Sequence, residues 1–296
     1  MDSKIIAIVG PTASGKSALA VKLAKKFGGE IISADSRQVY RGLDIGSGKI
    51  TKREMQGVPH HLLDVVSPKN TPAGGFTVAQ YQKLGKKAIE KIVNKGKLPI
   101  ICGGTGFYVD ALIKNFTLPP VPPNPKLRAK LEKLSTEKLA QKLETLDPKR
   151  FKNIDQNNRP RLIRAIEIAT KLGKVPPIVE HSVSDNCIQI GIQPDQEKLK
   201  KNIHDRLLKR LRAGLIAEVK KLHASGVSWK RLEAFGLEYR FGAKVLQRQA
   251  PKEEIASLER DIWHYAKRQM TWWKRDKNIK WVKNYKEAEK IARRFL

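Results

Sequence analysis

Eight residues, Gly10-Pro11-Thr12-Ala13-Ser14-Gly15-Lys16-Ser17, constrain this chain more than any other feature. They fit the phosphate-loop pattern G-x-x-x-x-G-K-[ST], between an apolar run and a helical one. Lys4 to Gly10 (KIIAIVG) reads as a buried strand and Ser17 to Phe27 as a helix. A strand, a glycine-rich turn and a helix start together offer backbone N–H groups and a favourable dipole to a phosphate. Lys16 is placed to reach the terminal phosphate and Ser17 to hold Mg²⁺. A phosphate ligand follows from the motif; ATP hydrolysis does not.

Further along, Glu30 to Ser33 and Leu98 to Cys102 read as strands that end in polar or glycine-rich segments, Ala34 to Tyr40 and Gly103-Gly104-Thr105-Gly106. Between them, Val78 to Asn94 carries Tyr81, Leu84, Ala88, Ile89 and Ile92 on one helical stripe. Strands alternating with helices predict a parallel α/β sheet whose ligands gather at the strands' carboxyl ends. The pattern breaks at Leu118 to Pro125, where five prolines fall within seven residues and mark a stiff connector. From Lys126 to Leu172 only helical periodicity appears, and a strand returns at Cys187 to Ile192. The expected organisation is a discontinuous P-loop core, 1–121 and 186–296, interrupted by a helical insertion, 122–185. Beyond it, helical stretches are expected over Glu197 to Ser225 and Pro251 to Asp276, then a strand at Ile279 to Val282 and a helix from Lys286.

The 296 residues carry 59 Lys+Arg against 29 Asp+Glu, a formal charge of +30. Such an excess suits a polyanionic partner, although a binding site needs a patch and not a sum. A 40% hydrophobic fraction supports a core, which excludes a disordered acidic chain and a collagen-like repeat. The two cysteines, Cys102 and Cys187, and the lack of an apolar run before the first motif predict a reducing, cytoplasmic setting with no membrane span.

Several further stretches carry a resemblance. Ser33 to Tyr40 (SADSRQVY), Gly42 to Lys49 (GLDIGSGK), Pro59 to Asp64 (PHHLLD), Gly103 to Tyr108 (GGTGFY), Arg161 to Glu167 (RLIRAIE) and Ala266 to Trp273 (AKRQMTWW) run in order with the phosphate loop. Together they make the chain resemble the bacterial tRNA dimethylallyltransferases, also called tRNA isopentenyltransferases. Gly236-Leu237-Glu238-Tyr239 is a variant of the family's Gly-x-x-Tyr stretch.

The resemblance implies transfer of a dimethylallyl group from dimethylallyl diphosphate to the exocyclic amine of the adenosine on the 3′ side of the tRNA anticodon. Asp35 would take the proton of that amine, a poor nucleophile, as a general base. Lys16, the loop N–H groups, Mg²⁺ on Ser17 and Arg210 would stabilise the departing diphosphate. Thr105 matches the family threonine near the reacting centre. The target base must leave its stack, and Asp35, Ser36, Arg37 and Gln38 are placed to read it. Contacts to the anticodon stem-loop are expected from Arg128 and from Arg159, Pro160, Arg161, Leu162, Ile163 and Arg164. A monomer is expected.

Each residue also has a plainer reading. Asp35 could cap a turn or serve as a Walker-B carboxylate, and Thr105 could satisfy its glycine-rich turn. Trp272 and Trp273 could stack on bases but fit a core at helical spacing better. His60 and His61 lack metal-ligand spacing. Competing functions are a P-loop small-molecule kinase or ATPase, a nucleotide-switched RNA protein, and an adenylate isopentenyltransferase acting on a free nucleotide.

Overall fold

A run of apolar residues without polar alternation forms a strand covered on both faces. Ile5–Val9 (β1) is such a run, and Ile6 to Val9 are fully buried. The computed structural model describes residues 3–69, 75–179, 183, 185–247 and 254–296. It divides into two units, one of Met1–Asn70, Gln80–Lys114 and Val183–Leu296, the other of Thr71–Ala79 and Asn115–Ser182.

In the first unit β1 leads through the phosphate loop into Lys16–Phe27 (α1), which ends at left-handed Gly28. Gly29–Ser33 (β2), the capped turn Lys52–Met55 (α2), His60–His61 (β3), Val78–Val93 (α3), Leu98–Gly103 (β4) and Gly106–Ile113 (α4) follow. After the second unit, Cys187–Ile192 (β5 of the sheet) returns beside β1. The six strands, with Lys280–Val282 as β6, form one parallel sheet in the order β3-β2-β4-β1-β5-β6. On one face, Leu19, Leu23 and Ala24 of α1 pack with Ile6, Ile8, Ile100 and Ile190. Ala288 and Ala292 of the last helix join the same cluster.

The second unit is helical: Pro125–Leu131 (α5), Thr136–Leu146 (α6), Pro148–Lys152 (α7) and Arg159–Leu172 (α8). Its single periodic stretch is cut into four by side-chain caps. Asn124, Ser135, Asp147 and Asn158 each accept a backbone N–H from the turn they open. Leu131, Leu139, Leu143, Leu162 and Ile166 form its own core.

The rest of the first unit is helical too: Gln196–Arg212 (α9), Leu215–Ala224 (α10), Trp229–Phe235 (α11), Leu237–Leu246 (α12), Glu254–Trp273 (α13) and, past β6, Tyr285–Phe295 (α14). The stretch expected as one helix from Glu197 is broken by Gly214, whose φ of 99° lies outside helical space. Residues 251–253, where the next helix was expected to start, lie outside the described residues. The pair α11 and α12, joined at Gly236, was not anticipated, nor were α2, β3 and α4.

Candidate functional site

A cavity of about 1250 Å³ opens at the carboxyl ends of β1, β2 and β4, lined by the phosphate loop, Asp35 to Gln38, Gly46 to Thr51 and faces of α9, α12 and α13. Parallel strands direct loops of different origin to one such edge.

The phosphate loop is held in shape by backbone requirements. Ala13 adopts φ 60° and Gly15 φ 88°, while a Cβ on Gly10 would meet the Ile192 carbonyl oxygen at 2.8 Å. Lys16 Nζ donates to the Pro11 carbonyl at 3.0 Å. Burial lowers the Lys16 pKa, with Arg206 and Arg210 pushing in the same direction against Cys102 and Asp35. Ser14 Oγ is buried with no partner among the described residues, a donor turned into a loop built for an anion. Ser17 is hydrogen-bonded to Cys102, whose thiol burial pushes up to about 11.

At the end of β2, Asp35 Oδ1 accepts the backbone N–H of Arg37 at 2.8 Å and of Gln38 at 3.2 Å. The carboxylate is thus both a turn cap and a member of the cavity wall, with Oδ2 left for other work. Thr105 at the start of α4 accepts the Ser36 N–H at 3.0 Å, so its hydroxyl proton remains to donate. Asp35, Ser36 and Thr105 therefore form one connected cluster. Gln38 is more committed: its Nε2 donates to Gly48 O, and Ser33 Oγ pairs with its Oε1, each at 3.3 Å. Arg37 lies 6.0 Å from the Phe235 ring centre.

From α9, Arg206 donates to Thr12 Oγ1 at 3.2 Å and to Gly48 O at 3.3 Å. Burial, then the neighbouring Arg210, lowers its pKa to about 10. Arg210 is paired with Glu238 of α12. Arg206, four residues before Arg210 on the same helix, is brought to the phosphate loop itself.

A residue missed in the sequence sits between the two halves of this site. Gln269 of α13 accepts the Thr12 N–H at 2.7 Å through Oε1 and donates to Gly104 O at 2.8 Å through Nε2. It belongs to a stretch rich in Lys, Arg and Trp, where charge drew attention outward. Trp273 is core, 1% exposed, and Trp272 donates from Nε1 to Asp110 at 2.9 Å. His61 Nε2 donates to the buried Glu30 at 2.6 Å, away from the cavity wall.

The helical unit corrects part of the expected RNA surface. Leu162 and Ile163 are buried in its core and offer no side chain to a ligand. Arg128 pairs with buried Glu167 through Nε at 2.8 Å and Nη2 at 2.7 Å, and Arg164 donates to Glu167 and to Val121 O at 2.7 Å. Their charge is spent in part within the fold. Arg159 reaches Glu132 O and Thr136 Oγ1, whereas Arg161 and Pro160 are exposed.

The model of the IPP transferase family matches residues 38–276. A protein of Geotalea uraniireducens named tRNA dimethylallyltransferase 1 is 39% identical over 99% of this chain and 98% of its own length. One of Syntrophus aciditrophicus with the same name is 43% identical over 93% and 90%. Among solved structures, the full-length tRNA isopentenylpyrophosphate transferase of Bacillus halodurans superposes with a TM-score of 0.70 at 38% identity, covering 95% of this chain and 90% of that one.

Proposed function

The chain belongs to the IPP transferase family, and on that premise we propose that it transfers a dimethylallyl group from dimethylallyl diphosphate to N6 of the adenosine 3′ to the anticodon in tRNA. The observation that carries the reading is that Asp35 and the phosphate-loop Lys16 line the same cavity. A carboxylate to accept a proton and a cationic cradle to receive a diphosphate are the two requirements of the transfer.

The N6 nitrogen attacks the allylic carbon as the carbon–oxygen bond to diphosphate breaks, and the electron pair leaves on the bridging oxygen. Asp35 Oδ2 takes the amine proton, its partner oxygen already fixed by two backbone N–H groups. Lys16, Arg206, Arg210 and the loop N–H groups meet the charge that develops on the leaving group. An arriving diphosphate favours the charged form of Lys16, against the burial that lowers its pKa. Thr105, which accepts the Ser36 N–H and is not part of the cavity wall, keeps a hydroxyl proton to donate behind the Asp35 turn.

The donor set also suits Mg²⁺. The loop offers the Ser17 hydroxyl, and the described residues hold no cluster of three or more His, Cys, Asp or Glu that could cage a metal. That fits an ion that keeps its waters and binds through substrate phosphate oxygens. When bound, it would offset diphosphate charge. The helical unit we assign to the anticodon stem-loop, supported by exposed Arg161, Lys126, Lys130, Lys149 and Arg150. No described helix is long and apolar enough to cross a membrane, and the two free thiols suit a reducing, cytoplasmic setting.

The test is incubation of the protein with unmodified bulk tRNA and either dimethylallyl diphosphate or ATP, followed by nucleoside mass spectrometry. N6-isopentenyladenosine formed only with the prenyl donor supports the reading. Consumption of ATP, or prenylation of free AMP in preference to tRNA, overturns it.

A further inference from the structure

In the loop Gly42 to Lys49, four consecutive N–H groups are taken up by two side chains from distant helices. Glu218 of α10 accepts the N–H of Asp44 at 3.1 Å and of Ile45 at 2.7 Å on Oε2, and of Gly46 at 3.0 Å on Oε1. Tyr239 of α12 accepts the Ser47 N–H at 3.1 Å and donates its own hydroxyl proton to Glu218 Oε1 at 2.8 Å. The phenol is 1% exposed, and burial followed by the Glu218 charge raises its pKa, which keeps that proton in place. Gly46 lies so near the Tyr239 ring that a Cβ there would sit 2.6 Å from the ring carbon.

The next residue is where this anchoring matters. Gly48 O accepts from both Arg206 and Gln38, and a Cβ on Gly48 would overlap the Nη2 atoms of Arg206 and Arg210. The floor beneath the two arginines is therefore loop backbone, and that backbone is fixed by Glu218 and Tyr239. Glu238, next to Tyr239 in sequence, holds Arg210 from the other side. Charge-assisted bonds of one carboxylate to several N–H groups are short and directional, which suits a register-setting role.

We propose that Glu218 is a positioning residue, which through the amides of residues 44–46 and the Tyr239 hydroxyl sets the Arg206–Arg210 pair over the phosphate loop and so determines affinity for the diphosphate end of the donor. The proposal rests on the diphosphate reading of that loop. It is tested with inorganic pyrophosphate as the probe, by calorimetry, so that no prenyl chemistry is required.

Glu218→Gln keeps the shape but sets an amide donor against N–H donors. It is expected to bind pyrophosphate about tenfold more weakly, since hydrogen bonds to charged groups contribute on that scale. Tyr239→Phe is expected to weaken it several-fold, and it carries the test should Glu218→Gln fail to fold. Because Glu218 acts through the arginine pair, the losses from Glu218→Gln and Arg206→Ala should combine to less than their sum. Wild-type affinity in folded Glu218→Gln, or in Tyr239→Phe where Glu218→Gln does not fold, or fully additive losses in the double variant, would overturn the proposal alone. A wild-type chain that ignores pyrophosphate would overturn the diphosphate reading and the positioning role with it.

Discussion

Asp35 does two things with one carboxylate, capping its own turn through Oδ1 and lining the cavity. Asp35→Asn retains the cap and removes the base. The expected result is a prenyl-transfer rate lower by about 10² to 10⁴, with tRNA affinity changed by no more than a few-fold. Single-turnover kinetics beside a filter-binding titration would show it; equal losses in both would mean a binding role instead. Gln269 offers a contrasting case, because it joins the Thr12 N–H to the Gly104 carbonyl and so ties the phosphate loop to the loop between β4 and α4. Gln269→Leu leaves both groups buried without a partner, at about 1 to 3 kcal/mol each. We expect a lower melting temperature together with a kcat loss, and Gln269→Glu, which keeps the Thr12 bond but sets a carboxylate oxygen against the Gly104 carbonyl, should also melt lower. Asp35 was legible in the sequence because a lone carboxylate ends a strand beside a phosphate loop. Gln269 was not, because a neutral amide among lysines and tryptophans has no periodic or spacing signature of its own.

Among the elements, β1 and β4 read most clearly, since nearly continuous apolar runs buried along their length leave little alternative, whereas β5 (CIQIGI) read from its alternation. The two-residue edge strand β3 is too short to carry a period, and α11 and α12 owe their boundary to one backbone conformation at Gly236. In the helical unit, α8 read correctly as amphipathic, but its arginines did not all face outward. Glu167, 2% exposed, draws Arg128 and Arg164 inward and also accepts the Asn124 N–H. Burial would raise its carboxyl pKa, yet the Arg128 bond, the Asn124 N–H and Arg164 outweigh it and hold the pKa below the ordinary 4.5. A depressed folded-state pKa stabilises above the unfolded value and is lost as pH falls through the folded one. Stability of the helical unit should therefore be full above about pH 5 and decline below pH 4.5. Glu167→Gln should lose about 3 kcal/mol or more at pH 7 by leaving two arginines without their anion, and should show a flatter acid limb in denaturant titrations from pH 3 to 7.

For the molecule as a whole, the charge of +30 located no surface, because the same residue type serves as ion-pair partner in one place and exposed cation in another. A clean test of the RNA arm must avoid the Glu167 network. With Lys126, Lys149, Arg150 and Arg161 changed to Ser, tRNA affinity should fall and the slope of log affinity against log salt should shrink by up to about 0.7 to 0.9 per lost phosphate contact. Pyrophosphate binding should stay as in the wild type, and an unchanged salt slope would remove the arm's assignment. The two native thiols bear on how such variants can be followed. Thiolate is the nucleophile toward maleimides, and burial holds Cys102 near 11 and Cys187 near 12. Both should therefore react with maleimide at pH 7 far more slowly than an exposed thiol. An Arg161→Cys variant should then accept a single fluorophore without removal of either native residue, and a dye-to-protein ratio near one would open the arm to distance measurement against labelled tRNA.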